Sequence, residues 1–159
     1  MTPVPELFVH KPENRPTIHL AGDRYTLLAS GAETGGAYAA FEALVPPGGG
    51  PPPHVHHRED EMFCVLEGEI TFFTGDRELA ATSGTWVHAP RDIPHRFQNR
   101  SAQPARMLIM TMPAGIEEYF WRVGAPVVDR DAPILPPTHD EIERLIALAP
   151  EYGLEILVP

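Results

Sequence analysis

Between residues 61 and 112 the chain runs in short apolar stretches broken every few residues by Gly, Pro, Asp or Ser, with no sustained helical spacing. Stretches at 61–66, 69–74, 78–82, 86–89, 95–99 and 105–112 predict strands, with turns near Glu67-Gly68 and Gly75-Asp76-Arg77. Upstream, residues 17–20, 25–30 and 37–45 predict three more, the last two joined by a turn over 31–36. Side chains alternate across a strand. If Glu61 faces inward, Phe63 and Val65 share its face, and Met62, Cys64 and Leu66 look towards a second layer. Many short strands without helices between them predict a sandwich or barrel of antiparallel strands.

The period changes after residue 112. Ile116, Tyr119, Phe120 and Val123 recur at helical spacing, predicting a helix over 114–123 that stops at Gly124. A second helix is predicted from Thr138, which stands at capping-box distance from Glu141, with Ile142, Leu145, Ile146 and Ala149 on one face and residues 150–153 ending it. Residues 124–137 are a Pro-rich connection, and 154–158 are apolar enough for a last strand or a docked tail. Residues 1–16 hold four prolines and no clear period, which predicts an irregular arm packed on the barrel or on a partner. The expected organisation is one domain over 1–159: the arm 1–16, a barrel over 17–112 and a helical C-terminal extension over 113–159.

A chain of 159 residues fits that single domain and can bury a real core. Its formal charge of −10 and lack of a basic cluster argue against nucleic acid and anionic membranes as partners. No apolar run approaches the roughly 20 residues of a membrane span, and the first residues lack the basic and apolar regions of a signal peptide, so the expected location is cytoplasmic. Cys64 is the single cysteine, which excludes an internal disulfide; its apolar neighbours predict an inert packing thiol.

The chemistry concentrates between Gly48 and Asn99. His54 and His56 stand two apart and leave the same face of an extended segment. Glu61 is five residues further on, an odd step, but the polar run 57–60 predicts a turn that resets the register and returns its carboxylate to the imidazoles. His95, leaving a Pro/Asp turn, is the predicted fourth ligand. Pro46 to Pro53 is stiff and extended, suited to positioning His54. His10, His19, His57, His88 and His139 are read as packing or surface residues; the His57 side chain leaves the face opposite the pair.

These residues resemble the two motifs of the cupin family. Gly48, His54, His56, Glu61 and Gly68 match the first, and Gly84, Pro90, His95 and Asn99 match the second, in which Asp92 replaces a usual glycine. Asp tolerates the left-handed turn conformation that such a glycine supplies. The resemblance implies an all-β cupin (jelly-roll) barrel with one or two C-terminal helices packed outside it, and a homodimer. Three imidazoles and a carboxylate suit one divalent transition metal ion among Fe, Mn, Co, Ni, Cu and Zn, with positions left open, and not the oxygen-seeking Ca or Mg. Glu61 is then both ligand and candidate catalytic base. The segment from His56 to Glu69, the late helix Ile142 to Ala149 and the Tyr152-Gly153 ending look like small single-barrel quercetin 2,3-dioxygenase-type proteins. That likeness implies a flavonol-like or other enolic small-molecule substrate and dioxygen, and strand parity offers Phe63, Val65, Phe97 and Met110 as its pocket. The alternatives are a non-oxidative metal-dependent isomerase and a cupin that binds a small molecule or metal without catalysis.

Overall fold

Residues 6–158 are described by the computed structural model, so residues 1–5 of the expected arm lie outside the described residues. The strands are β1 (Thr17–Leu20), β2 (Asp23–Ala29), β3 (Ala39–Val45), β4 (His54–His56), β5 (Asp60–Glu67), β6 (Glu69–Thr74), β7 (Arg77–Thr82), β8 (Trp86–Ala89), β9 (Arg96–Gln98), β10 (Ala105–Met112), β11 (Ala125–Pro126) and β12 (Leu154–Ile156). They form a seven-stranded sheet in the order β11-β1-β2-β3-β10-β5-β8, a three-stranded sheet β7-β6-β9 and the pair β12-β4. The fold is mostly β, a jelly-roll arrangement whose sheets do not close edge to edge.

Register explains the core. In the large sheet Phe41, Ile109, Phe63 and Val87 stand side by side, and the next inward row is Ala39, Thr111, Glu61 and Ala89. Phe63 meets Phe72 and Phe97 of the three-stranded sheet, with ring centroids 4.9 and 5.9 Å apart, while Phe41 packs against Tyr25 and Phe120 in the same core. Glu61 therefore sits in the interior row, with an apolar row beneath it. The other face of the same strands carries Met62, Cys64, Leu108 and Met110, and there Cys64 is half-buried with a free thiol.

Several expectations are corrected. The segment over 31–36 is not only a turn: Gly31–Thr34 forms a short helix, α1, because Ser30 and Glu33 make a reciprocal capping box and Gly35 closes it at φ 64°. The C-terminal extension contains the last strand expected over 154–158, β12, which pairs with β4, and also β11, which lies within the expected Pro-rich connection and pairs with β1. Its helices are α2 (Ile116–Val123), which buries Ile116, Tyr119, Phe120 and Val123, and α3 (His139–Leu148). On α3 the expected apolar face is only partly covered: Leu145 is buried and Ala149 follows it, but Ile142 and Ile146 are 42% and 40% exposed. Thr138 caps α3 by accepting the Glu141 N–H at 3.2 Å, while the Glu141 carboxylate accepts the Ala21 N–H at 2.7 Å and so does not complete the box. Among the described residues no helix is long and apolar enough to cross a membrane.

Candidate metal centre

The loop that delivers His54 is held by its glycines and by Asn99. Gly48 N–H donates to Asn99 O at 2.7 Å and Asn99 N–H to Gly49 O at 2.9 Å, while the buried Asn99 amide donates to Val45 O and Gln103 O. Gly50 lies at φ 132°, and a Cβ there would come within 2.1 Å of Phe97 O, so no other residue fits without moving the loop. A Cβ on Gly49 would meet Asp23 Oδ1 at 2.5 Å. Asp23 is fully buried, and burial pushes its carboxyl well above the usual range against the opposing effect of the Gly50 N–H and the Tyr25 hydroxyl.

Strand β4 is short, so its position depends on its neighbours. On one edge it pairs with β12, placing Leu154 opposite His56 and Ile156 opposite His54. On the other, His54 and His95 exchange backbone hydrogen bonds of 3.1 and 3.0 Å. Asp92 takes φ 66°, the left-handed conformation a glycine would supply, and lets the chain turn back onto His95. His57 faces outward, as its parity requires. Its ring bridges Asp92 Oδ1 at 2.6 Å and Glu155 Oε2 at 3.0 Å, and these two carboxylates raise its pKa, so it clasps the second motif's turn to the last strand.

The fold brings His54, His56, Glu61 and His95 together, all buried, with one donor atom from each within 4.8 Å of the others. Glu61 Oε2 lies 3.0 Å from His95 Nε2, 3.2 Å from His56 Nε2 and 3.9 Å from His54 Nε2. Each ring is fixed from behind. The Nδ1–H of His54 donates to Pro52 O at 2.8 Å, that of His95 to Ile93 O at 3.0 Å and that of His56 to Glu59 Oε2 at 3.3 Å. These acceptors set the tautomer, so every Nε2 is directed at the centre. Glu59, only 3% exposed, was missed in the sequence, where it stands in a polar run that reads as a turn; its one signal is a carboxylate three residues after a ligand histidine.

Charge in the cluster is tightly arranged. Burial opposes ionisation of Glu61, but the His56 charge and the gathering of three imidazoles around its carboxylate outweigh it and hold the carboxyl well below its usual range. Burial also opposes the charged form of His56, yet Glu61 and Glu59 raise it to about 9. For His54 burial prevails and the pKa is lowered. Three convergent nitrogens and one oxygen, with their outer nitrogens already satisfied, fit a divalent transition metal and do not fit an ion that requires an all-oxygen shell.

The cluster opens on a chamber of about 50 Å³ lined by His54, His56, Glu61, Tyr25, Phe97 and Tyr119, with Phe120, Leu145, Leu154 and Ile156 among the apolar walls. Of the four residues expected to form the pocket, Phe97 lines this chamber. Phe63 and Val65 do not line it: both are packed in the core, the Phe63 ring 6.1 Å from that of His95. Met110 is on the opposite face of the sheet, because Thr111 is the residue that pairs with Glu61 and Met110 pairs with Met62. Tyr25, Tyr119, Leu154 and Ile156 were not legible as site residues, since they arrive from strands and a helix distant in the chain.

Residues 41–111 match the family described as the cupin domain. A quercetin 2,3-dioxygenase from Bacillus subtilis (strain 168) is 24% identical over 141 residues, which is 88% of this chain and 41% of that protein. A Streptomyces cyaneus protein named polyketide synthase CurC is 27% identical over 136 residues, 83% of this chain and 87% of its own length. Among solved structures, a predicted oxalate decarboxylase from Thermotoga maritima superposes with a TM-score of 0.62 at 18% identity, covering 67% of this chain and 99% of that one. At that identity the likeness concerns the fold. The chain spans less than half the length of the Bacillus relative.

Proposed function

Because this chain carries a cupin domain whose two histidine-bearing motifs meet in one buried cluster, we propose that it is a metal-dependent oxidoreductase of the dioxygenase type, acting with dioxygen on a flavonol-like or other enolic aromatic substrate. The observation that carries this reading is the pairing of a three-imidazole, one-carboxylate centre with a chamber whose remaining walls are apolar apart from two tyrosines. His54, His56, Glu61 and His95 would hold one divalent ion of Fe, Mn, Co, Ni, Cu or Zn, which supplies Lewis acidity and positions open to exogenous oxygen donors.

The chain's own residues do the rest. The carbonyls of Pro52 and Ile93 and the carboxylate of Glu59 keep the imidazoles from rotating, so the donors are aligned before substrate arrives. Glu61, buried with Oε2 facing the imidazoles, is placed to accept the proton of an enolic hydroxyl brought to the centre. Phe97, Tyr119 and Phe120 wall the centre with apolar surface, which suits an enolic head better than a sugar. The name of the Bacillus relative supports the same substrate class.

Metal content by elemental analysis, after reconstitution with each candidate ion, is expected to approach one equivalent per chain. Oxygen uptake is then followed with flavonols and β-diketones. Glu61→Gln that still holds metal is expected to lose roughly 10²–10⁴-fold in rate. Full occupancy with no oxygen uptake on any substrate would turn the assignment towards a non-oxidative isomerase or a binding protein. Far less than one equivalent of every ion would remove the metal centre itself.

A further inference from the structure

Outside the chamber lies a groove of about 420 Å³ between α3 and the Gly48–Gly50 loop. It shares Ala21, Pro52, Leu145 and Ile156 with the chamber, so the two adjoin across these residues. The chamber, about 50 Å³, has room for a small group and none for an aromatic ring system, whereas sites that enclose a whole small molecule run to roughly 300–1,000 Å³. From these sizes we infer that substrate binds in two parts: a compact oxygen-bearing head at the His/Glu cluster, and an apolar body in the outer groove, where Ile142 and Ile146 of α3 select it. This deepens the proposed function and rests on it.

The groove has the chemistry for such a body. Glu141 is the one charged residue lining it among the described residues, and that carboxylate already accepts the Ala21 N–H. Among the described residues no Lys or Arg lines either space, so none of them is set to receive a phosphate or a carboxylate tail. Proline and aliphatic side chains make up most of the remaining wall. Ile142 and Ile146 account for the part of α3's apolar face that the protein itself leaves uncovered, and they look onto this groove. Their exposure is unfavourable in water and is relieved by an apolar occupant.

The wall is also fixed. Tyr119 Oη donates to Leu145 O at 2.6 Å, Arg144 Nη2 to Val123 O at 3.1 Å, and Glu141 ties the start of the helix to the β1–β2 turn. A groove held this way is formed before ligand arrives and contributes selectivity without an ordering cost.

The test is binding to zinc-loaded protein, since zinc has no redox chemistry and turnover cannot confuse the readout. Dissociation constants are measured by equilibrium dialysis for pentane-2,4-dione, 1-phenylbutane-1,3-dione and 1,3-diphenylpropane-1,3-dione, which share a head and differ in body. The phenyl compounds are expected to bind at least tenfold more tightly than the dimethyl one. In Ile142→Lys and, separately, Ile146→Lys, the ratio between phenyl and dimethyl compounds is expected to fall to within about twofold, by introducing a charge where apolar area was buried. Zinc stoichiometry and the circular dichroism spectrum report that each variant is folded. If the dimethyl compound binds and the phenyl groups add nothing, or both lysine variants keep the full ratio, the two-part site is wrong and the enolic reading survives. If none of the three binds the zinc protein, both fall together.

Discussion

Glu59 touches no substrate-facing atom, yet it governs a ligand. Its carboxylate is buried and accepts the His56 Nδ1–H, so removing it leaves a buried imidazole N–H without a partner and one ring free to turn. Glu59→Ala is expected to weaken metal binding by roughly 10–100-fold, measured by competition with a chromogenic chelator. Glu59→Gln keeps an acceptor oxygen and is expected to lose less. Equal losses would mean that charge alone matters, and no loss in either would show that the strands suffice to hold His56. The contrast with the ligands shows where residue-level legibility ends. His54, His56, Glu61 and His95 stand out by spacing, because extended backbone converts a two-residue step into a shared face. Glu59 acts through a tight turn, and turn geometry is not carried by the polarity of the residues in it.

At the scale of elements, the strands were legible because turn residues punctuate them, and parity placed Glu61 and Phe63 inward correctly. Parity failed for Met110, since it fixes a face only once the register between strands is known. The part β12 plays in holding the site could not be read at all: three residues at the far end of the chain carry no signal of pairing with β4. Helix α1 was missed because it is short, yet its cap organises the neighbourhood. Glu33 accepts from Ser30 N–H and Oγ–H and from Arg15 Nη2–H, and its other oxygen meets His10 Nε2 at 2.8 Å. Slight burial works against its charge, but these donors prevail and bring its pKa from 4.5 to about 2. The folded value lies below the unfolded one, so the ionised carboxylate stabilises the fold above about pH 4.5, and that contribution disappears as pH falls towards 2. Because Glu33 is partly in solvent, the stabilisation is about 1 kcal/mol once screening is allowed for. Urea midpoints of wild type and Glu33→Gln are expected to differ at neutral pH and to converge in acid. A gap that persists unchanged to pH 2 would assign the effect to packing.

For the whole molecule the open question is what meets the outer face of the seven-stranded sheet. Met62, Cys64, Leu66, Leu108 and Met110 make its centre, with Trp86 57% and Met112 44% exposed at its edges. The arm, as far as it is described, leaves Leu7 92% and Val9 83% exposed. A second copy bound through a two-fold axis would cover the apolar face and the apolar arm of both chains at once. A homodimer is therefore the expected assembly. Two chains of formal charge −10 repel one another, so an association driven by apolar burial is expected to tighten as salt screens that repulsion, the reverse of an interface built on ion pairs. Light scattering on the eluting protein is expected to give twice the 17.6 kDa chain mass at micromolar concentration. Trp86→Glu, which buries a carboxylate at the face, is expected to return the single-chain mass while leaving metal content intact, since Trp86 lies across the sheet from the cluster. A wild-type protein that runs at 17.6 kDa at high salt would remove the dimer, and a dimer untouched by Trp86→Glu would move its interface off this sheet.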